Sequence, residues 1–157
     1  MKLNLKINGE IKCFDIKPGE FLSEVLRKEG YKGLKHGCKS GRCGACTVLL
    51  NGEPIVSCIT LAGKVEGQEI TTIEGLGTPE KLHPLQEAFL DKSAVQCGFC
   101  TSGVILSAKA LLDKNNNPTE KEIKEALVGN YCRCTGYVKQ IEAIKLAAEK
   151  MRKSIDN

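Results

Sequence analysis

The sequence predicts an α+β fold in which a small β-rich unit is followed by a unit of helices. In residues 1–75, apolar and polar residues alternate on either side of Asn-Gly pairs, a pattern typical of β-hairpins. Beyond residue 84, apolar residues recur every three or four positions, as in amphipathic helices. The segment 75–79, Gly-Leu-Gly-Thr-Pro, separates the two patterns. We therefore predict one domain over residues 1–75 and a second over residues 76–157.

The first unit is predicted to contain two hairpins, one helix and a further short strand. The hairpins turn at the Asn-Gly pairs of residues 8–9 and 51–52, and the helix follows the Pro-Gly break at 18–19. Residues 69–73 supply the further strand. Cys13 lies in the returning strand of the first hairpin, where the alternation predicts that it packs as an apolar residue. This order indicates a small mixed sheet packed on one helix.

The second unit is predicted to contain four helices. Pro84 suits the first position of a helix, and Thr119 with Glu122 forms a capping box. The predicted helices cover residues 84–91, 102–112, 119–127 and 137 onward. Four helices in so short a segment indicate a compact bundle.

Composition argues for an intracellular metal protein. No apolar segment has the length of a signal-peptide core or a membrane span, so we expect a cytoplasmic protein with no membrane partner. Nine cysteines, an odd number, are poorly explained by disulfides in a reducing compartment. The formal charge of +4 is small, and the chain has no long run of Lys or Arg. Nucleic-acid binding is therefore not indicated.

The first cysteine set has the spacing C-x4-C-x2-C-x11-C. Its first three members match the plant-type 2Fe–2S ferredoxin pattern, and the loop between them is rich in glycine. Glycine allows sharp turns and lets backbone N–H groups approach cluster sulfurs. Structural zinc is disfavoured, because zinc ligands usually come as two short knuckles. We expect His36 to lie at the surface or behind the ligands. The predicted ligands are Cys38, Cys43, Cys46 and Cys58, and the predicted loop glycines are Gly37, Gly41 and Gly44.

The second cysteine set consists of a C-x2-C pair and a C-x-C pair, each placed before a predicted helix. Helix N-termini carry partial positive charge, which favours thiolates and an anionic cluster, and Arg133 adds a further charge. Spacing alone leaves three alternatives open: an iron–sulfur cluster, a zinc site or a redox-active dithiol. The members of this set are Cys97, Cys100, Cys132 and Cys134.

Three strings carry a specific resemblance. They are GC-x4-CGACTV at residues 37–48, QCGFCTSG at 96–103 and GNYCRCTGY at 129–137. Together they resemble the small iron–sulfur subunit of the molybdenum hydroxylases, the xanthine dehydrogenase family, over about residues 2–150. The resemblance implies a β-grasp ferredoxin-like domain followed by a four-helix bundle, each with one 2Fe–2S cluster. It also implies that the second cysteine set holds a cluster.

The resemblance further implies partners that carry the remaining cofactors. The second cluster would lie next to molybdopterin on a large subunit, and the first nearer to FAD on another subunit, with single electrons passing in that order. Gln96 matches the glutamine that contacts the pterin, although a helix-start residue bonded only to backbone is the alternative. The chain has no room for a molybdenum or FAD domain, so we expect a hetero-oligomer. Its substrate site would lie on the large subunit.

One departure from the family pattern is visible. The family commonly has proline where Ser102 stands, at a helix start where serine can serve as a cap. We expect little effect on function. Two further hypotheses compete with the resemblance: a free-standing ferredoxin with two clusters that serves several partners, and a zinc-stabilised interaction module.

Overall fold

The structure, a computed structural model, describes residues 1–155 and has a mixed α+β architecture. A five-stranded sheet has the order β2-β1-β5-β3-β4, in which only β1 and β5 are parallel neighbours. The strands are β1 Lys2–Ile7, β2 Glu10–Asp15, β3 Thr47–Leu50, β4 Glu53–Val56 and β5 Glu69–Thr71. The helices are α1 Leu22–Lys28, α2 Pro84–Asp91, α3 Thr101–Lys114, α4 Glu120–Ala126 and α5 Val138–Ile155. Among these described residues, no helix is both long and apolar enough to cross a bilayer.

Both predicted hairpins are confirmed. Asn8 and Gly9 adopt φ values of 51° and 90°, and Asn51 and Gly52 adopt 50° and 86°. Positive φ at both central residues is the type I′ geometry, whose twist matches that of the flanking strands. The Asn-Gly pairs therefore set the registers in which β1 pairs with β2, and β3 with β4.

The prediction that Cys13 of β2 packs as an apolar residue is wrong, because the other face of the strand is the buried one. The register pairs buried Leu3 with Phe14 and exposed Asn4 with Cys13, so Phe14 faces the core and Cys13 faces solvent. Ile11 is 84% exposed for the same reason. The outer face is exposed on β1 as well, where Lys2, Asn4 and Lys6 face solvent, so apolar residues on this face of β2 do not mark the core.

Two apolar cores lie on either side of the 73–84 segment. The first joins the inner face of the sheet to α1, and the second lies among α2, α3, α4 and α5. A smaller cluster of Leu49, Leu106 and Ala110 connects them, with Ile73 packed against it. Leu49 belongs to β3, while Leu106 and Ala110 belong to α3, so α3 packs directly on the sheet. The segment around residues 73–76 packs on the second core rather than running free between the units.

Candidate metal centres

The loop around Cys38 directs backbone N–H groups at a single sulfur. The amides of Ser40, Arg42 and Cys43 donate to Cys38 Sγ at 3.4, 3.3 and 3.4 Å. These donors, that of Ser40 foremost, lower the pKa of the Cys38 thiol to about 6. The loop therefore stabilises a thiolate at this position, as a metal ligand requires.

The predicted loop glycines are needed for two different reasons. At Gly37 a Cβ would lie 2.8 Å from Cys43 Sγ, so a side chain there would displace a cysteine sulfur. Gly41 and Gly44 have φ values of +76° and +70°, which residues with side chains rarely adopt. A Cβ on Gly44 would also overlap the carbonyl oxygen of Gly129.

The other two cysteines of the first set are buried together. Cys46 and Cys58 are 2% and 5% exposed. Burial, with the neighbouring Cys58 thiol, raises the pKa of Cys46 to about 11. The Ser57 hydroxyl donates to the Cys46 carbonyl at 2.6 Å and thereby ties the turn carrying Cys58 to the loop. The first set thus presents one pair at the loop surface and one pair at the edge of the core.

The second set also forms two pairs. Cys97 and Cys134, both exposed, have sulfurs 3.6 Å apart. Cys100 and Cys132, the inner pair, have neighbouring thiols. Cys97 and Cys100 stand immediately before α3, and Cys132 and Cys134 stand just before α5. The C-x2-C and C-x-C segments therefore each precede a helix, as predicted from the sequence.

Thr135 and burial have opposite effects on the pKa of Cys132, a member of the inner pair. Burial opposes ionisation of Cys132, but the Thr135 hydroxyl at 3.1 Å and its amide at 3.4 Å lower the Cys132 pKa to about 7. Burial and the neighbouring Cys132 thiol raise the pKa of Cys100 to about 11. Because metal ligands must be thiolates, loading this pair would release protons.

Tyr137 holds the loop that carries the C-x-C pair. Its hydroxyl accepts from the Cys132 amide at 2.8 Å and donates to the Asn130 carbonyl at 3.2 Å. Tyr137 itself has φ of +68°, so the chain turns sharply between the cysteines and α5. The Tyr137 hydroxyl therefore holds the two ends of the 130–137 turn together.

The paired arrangement fits a two-iron cluster. Tetrahedral coordination with metal–sulfur bonds of about 2.3 Å places two ligand sulfurs nearly 4 Å apart, close to the 3.6 Å between Cys97 and Cys134. A 2Fe–2S cluster needs two cysteine ligands on each of two irons, which two pairs can supply.

The two cysteine sets are joined by direct backbone contact. The Tyr131 amide donates to the Cys43 carbonyl at 2.9 Å, and Tyr131 immediately precedes Cys132. A Cβ on Gly103 of α3 would overlap the carbonyl oxygen of Gly44. A single hydrogen bond therefore connects Cys43, a candidate ligand of the first set, with the residue before Cys132, a candidate ligand of the second set.

Several residues around the sites carry roles that the sequence did not indicate. The Ser102 hydroxyl, expected to serve as a cap, instead donates at 2.8 Å to the Gly33 carbonyl in the first unit. Gln140, within the first turn of α5, donates to Cys100 Sγ at 3.5 Å. His36 contacts the Ser23 hydroxyl at 2.8 Å through Nε2. Gln96 and Arg133 are both exposed beside the second set.

Fold and cysteine pairing together define a class of protein, an iron–sulfur electron carrier with two sites. Residues 5–72 match the family of 2Fe-2S iron-sulfur cluster binding domains, and residues 72–145 match a second family of 2Fe-2S binding domains. The chain therefore has two domains of kinds that bind 2Fe–2S clusters, as the sequence predicted.

Comparison with whole proteins shows which family within this class the chain belongs to. The chain is 48% identical to the nicotinate dehydrogenase small FeS subunit of Eubacterium barkeri, covering 94% of this chain and 95% of that one. It is also 48% identical to the xanthine dehydrogenase iron-sulfur-binding subunit of Escherichia coli O157:H7, over 83% and 84%. The structure superposes on quinoline 2-oxidoreductase from Pseudomonas putida 86 with a TM-score of 0.93 at 44% identity, covering 98% and 96%. The chain belongs to the family of small iron–sulfur subunits of the molybdenum hydroxylases.

We predict that Gly103→Ala destabilises the protein. In an ordinary helix interior this change would add about 1 kcal/mol of stability, but here the methyl group would overlap the Gly44 carbonyl. We expect the free energy of unfolding to fall by roughly 1–3 kcal/mol, measured by denaturant titration of the cluster-loaded protein. Gly63→Ala is the matched control, because the added Cβ would meet only Met1 Cε, at 3.6 Å. A stabilised Gly103→Ala protein would show that α3 and the loop at Gly44 are not in tight contact.

We also predict that Tyr137→Phe loosens the second site. The change removes the hydroxyl that accepts from Cys132 and donates to Asn130, at a cost of roughly 1–2 kcal/mol for two hydrogen bonds. The rate at which iron is lost to a chelator should rise at the second site and stay constant at the first. Tyr31→Phe, which removes a hydroxyl near the surface of the first unit, serves as control. Equal rates in both variants would contradict the bracing role of Tyr137.

Proposed function

We propose that the chain relays single electrons through two 2Fe–2S clusters in a molybdenum hydroxylase built from several subunits. The two clusters, when bound, supply one-electron redox chemistry. The observation that carries the proposal is the 2.9 Å hydrogen bond from the Tyr131 amide to the Cys43 carbonyl. This bond links Cys43, a proposed ligand of the first cluster, directly to Tyr131, which precedes Cys132, a proposed ligand of the second cluster.

The proposed ligation follows the observed pairs. In the first unit, residues 1–75, one iron takes Cys38 and Cys43 and the other takes Cys46 and Cys58. In the second unit, residues 76–157, we propose that α2 to α5 form a four-helix bundle that holds the second cluster. The contacts of α2 with α3 and α5, and of α4 with the same two helices, support this arrangement. There one iron takes Cys97 and Cys134, and the other takes Cys100 and Cys132.

The open edge of the second set suits a partner that covers it. Cys97 and Cys134 are exposed, as is the adjacent Gln96, whereas Cys100 of the inner pair is 8% exposed. We propose that the large molybdopterin-binding subunit docks on this edge and that Gln96 contacts the pterin. An uncovered pair of this kind would otherwise leave ligand sulfurs in water.

The loop of the first set also has an exposed surface. Cys38 lies in a loop whose neighbours Lys39 and Arg42 are exposed, and Ile59, beside Gly41, is 52% exposed. We propose that this surface meets the FAD-binding subunit. We further propose that the chain contacts both partners at once in a cytoplasmic complex.

The substrate is set by the partner rather than by this chain. The relatives named for nicotinate and for xanthine dehydrogenases are each 48% identical to it. Small subunits of similar sequence thus belong to enzymes named for different substrates. The sequence of the small subunit therefore does not determine the substrate. The second hypothesis, a free-standing ferredoxin, is disfavoured because both of those relatives are named as subunits.

Metal analysis and spectroscopy test the proposed ligation. We expect about four irons and four acid-labile sulfides per chain in anaerobically prepared protein, with two distinguishable EPR signals after reduction. Cys43→Ser should remove the first signal and leave the second, because the ligands belong to different units. Cys13→Ala is the control and should change neither signal, since Cys13 is exposed on β2. Loss of both signals in Cys43→Ser would contradict the partition into two sites.

Purification of the tagged chain from its native host tests the proposed partners. We expect stoichiometric molybdenum and flavin to accompany the chain, since the exposed Cys97–Cys134 edge would be covered in the complex. A stable monomer free of both would instead support the free-standing ferredoxin. Zinc in place of iron would support the interaction module.

A further inference from the structure

Gln140 is an amide placed in an otherwise apolar environment. It lies in the first turn of α5, is fully buried, and sits on the face of α5 that also carries buried Ile144 one turn later. Its Nε2 donates to Cys100 Sγ at 3.5 Å. Its Oε1 is the one buried side-chain oxygen or nitrogen in residues 1–155 that has no hydrogen-bond partner.

Stability alone does not account for an amide at this position. A buried carbonyl oxygen without a donor loses its hydration and gains nothing in return, so leucine at 140 would pack better. In the observed orientation the amide N–H points at Cys100 Sγ. A thiolate at Cys100 would hold the amide this way round, because Oε1 in the same place would repel it.

We propose that Gln140 is a positioning residue that raises the reduction potential of the second cluster by donating its amide N–H to the Cys100 thiolate. This inference rests on the proposed ligation of that cluster by Cys100. Reduction adds one negative charge to the cluster and its ligand sulfurs. A fixed donor stabilises the more negative state more strongly, and it does so most effectively where water is absent.

The location of Gln140 makes it suited to this role. The Cys97–Cys134 pair is exposed, so its electrostatic environment would change when a partner covers it. The Cys100–Cys132 pair lies toward the core. The fully buried Gln140 side chain contacts Cys100 from α5. The contribution of Gln140 therefore belongs to this chain and does not depend on docking.

Redox titration of the loaded protein, followed by EPR, tests the proposal. In Gln140→Leu we expect the equilibrium constant for reduction of the second cluster to fall about tenfold, which is about 59 mV for a one-electron couple. The potential of the first cluster should not move. Ile144→Leu is the matched control, because it alters packing one turn along the same face of α5 and removes no donor. Gln140→Met, unbranched and also without a donor, should reproduce the shift if the leucine variant loses its cluster.

Thermal unfolding of the same variants distinguishes tuning from a structural role. We expect Gln140→Leu to be at least as stable as the parent protein, since it removes an unpartnered buried oxygen. A lowered potential with unchanged or raised stability supports the proposal. An unchanged potential in both Gln140 variants, with the second EPR signal intact, overturns the proposal but leaves the ligation standing. Absence of the second signal from the parent protein would instead overturn the ligation itself.

Discussion

The arrangement of the two sites depends on a backbone contact that side chains would prevent. Gly44 of the first loop lies against Gly103 of α3, and a Cβ on Gly103 would overlap the Gly44 carbonyl. On its other side Gly44 lies against the Gly129 carbonyl. The loop that carries the first cysteines is thereby held between a helix and a turn of the second unit. The hydrogen bond from Tyr131 to Cys43 can form because these backbones come so close.

The two sites stabilise thiolates by different means. In the first loop the donors to Cys38 Sγ are three backbone amides, which the glycine-rich chain turns inward. In the second site Thr135 supplies a hydroxyl and Gln140 an amide, and Tyr137 braces the loop. A backbone donor is fixed by loop geometry, whereas a side-chain donor can be exchanged with one substitution. The second site is therefore the more adjustable of the two.

The sequence predicted those parts of the structure that depend on local chemistry. The Asn-Gly pairs fixed both hairpins, and the capping box at Thr119 fixed the start of α4. The phase of β2 could not be obtained in this way, because it depends on pairing with β1 and on which face of these two strands is covered. Ser102 and Gln140 were missed for a related reason. Each acts on a residue distant in sequence, Gly33 and Cys100, and only the packed fold brings them together.

The exposed Cys97–Cys134 pair has a consequence for the order in which a complex can be assembled. These sulfurs lie 3.6 Å apart on an open edge, whereas Cys100 is buried. If the four cysteines hold the second cluster as proposed, a pre-formed cluster handed over by a delivery protein would reach them from the open edge. A large subunit docked on the same edge would cover that approach. The two proposals together therefore place maturation of the small subunit before its docking.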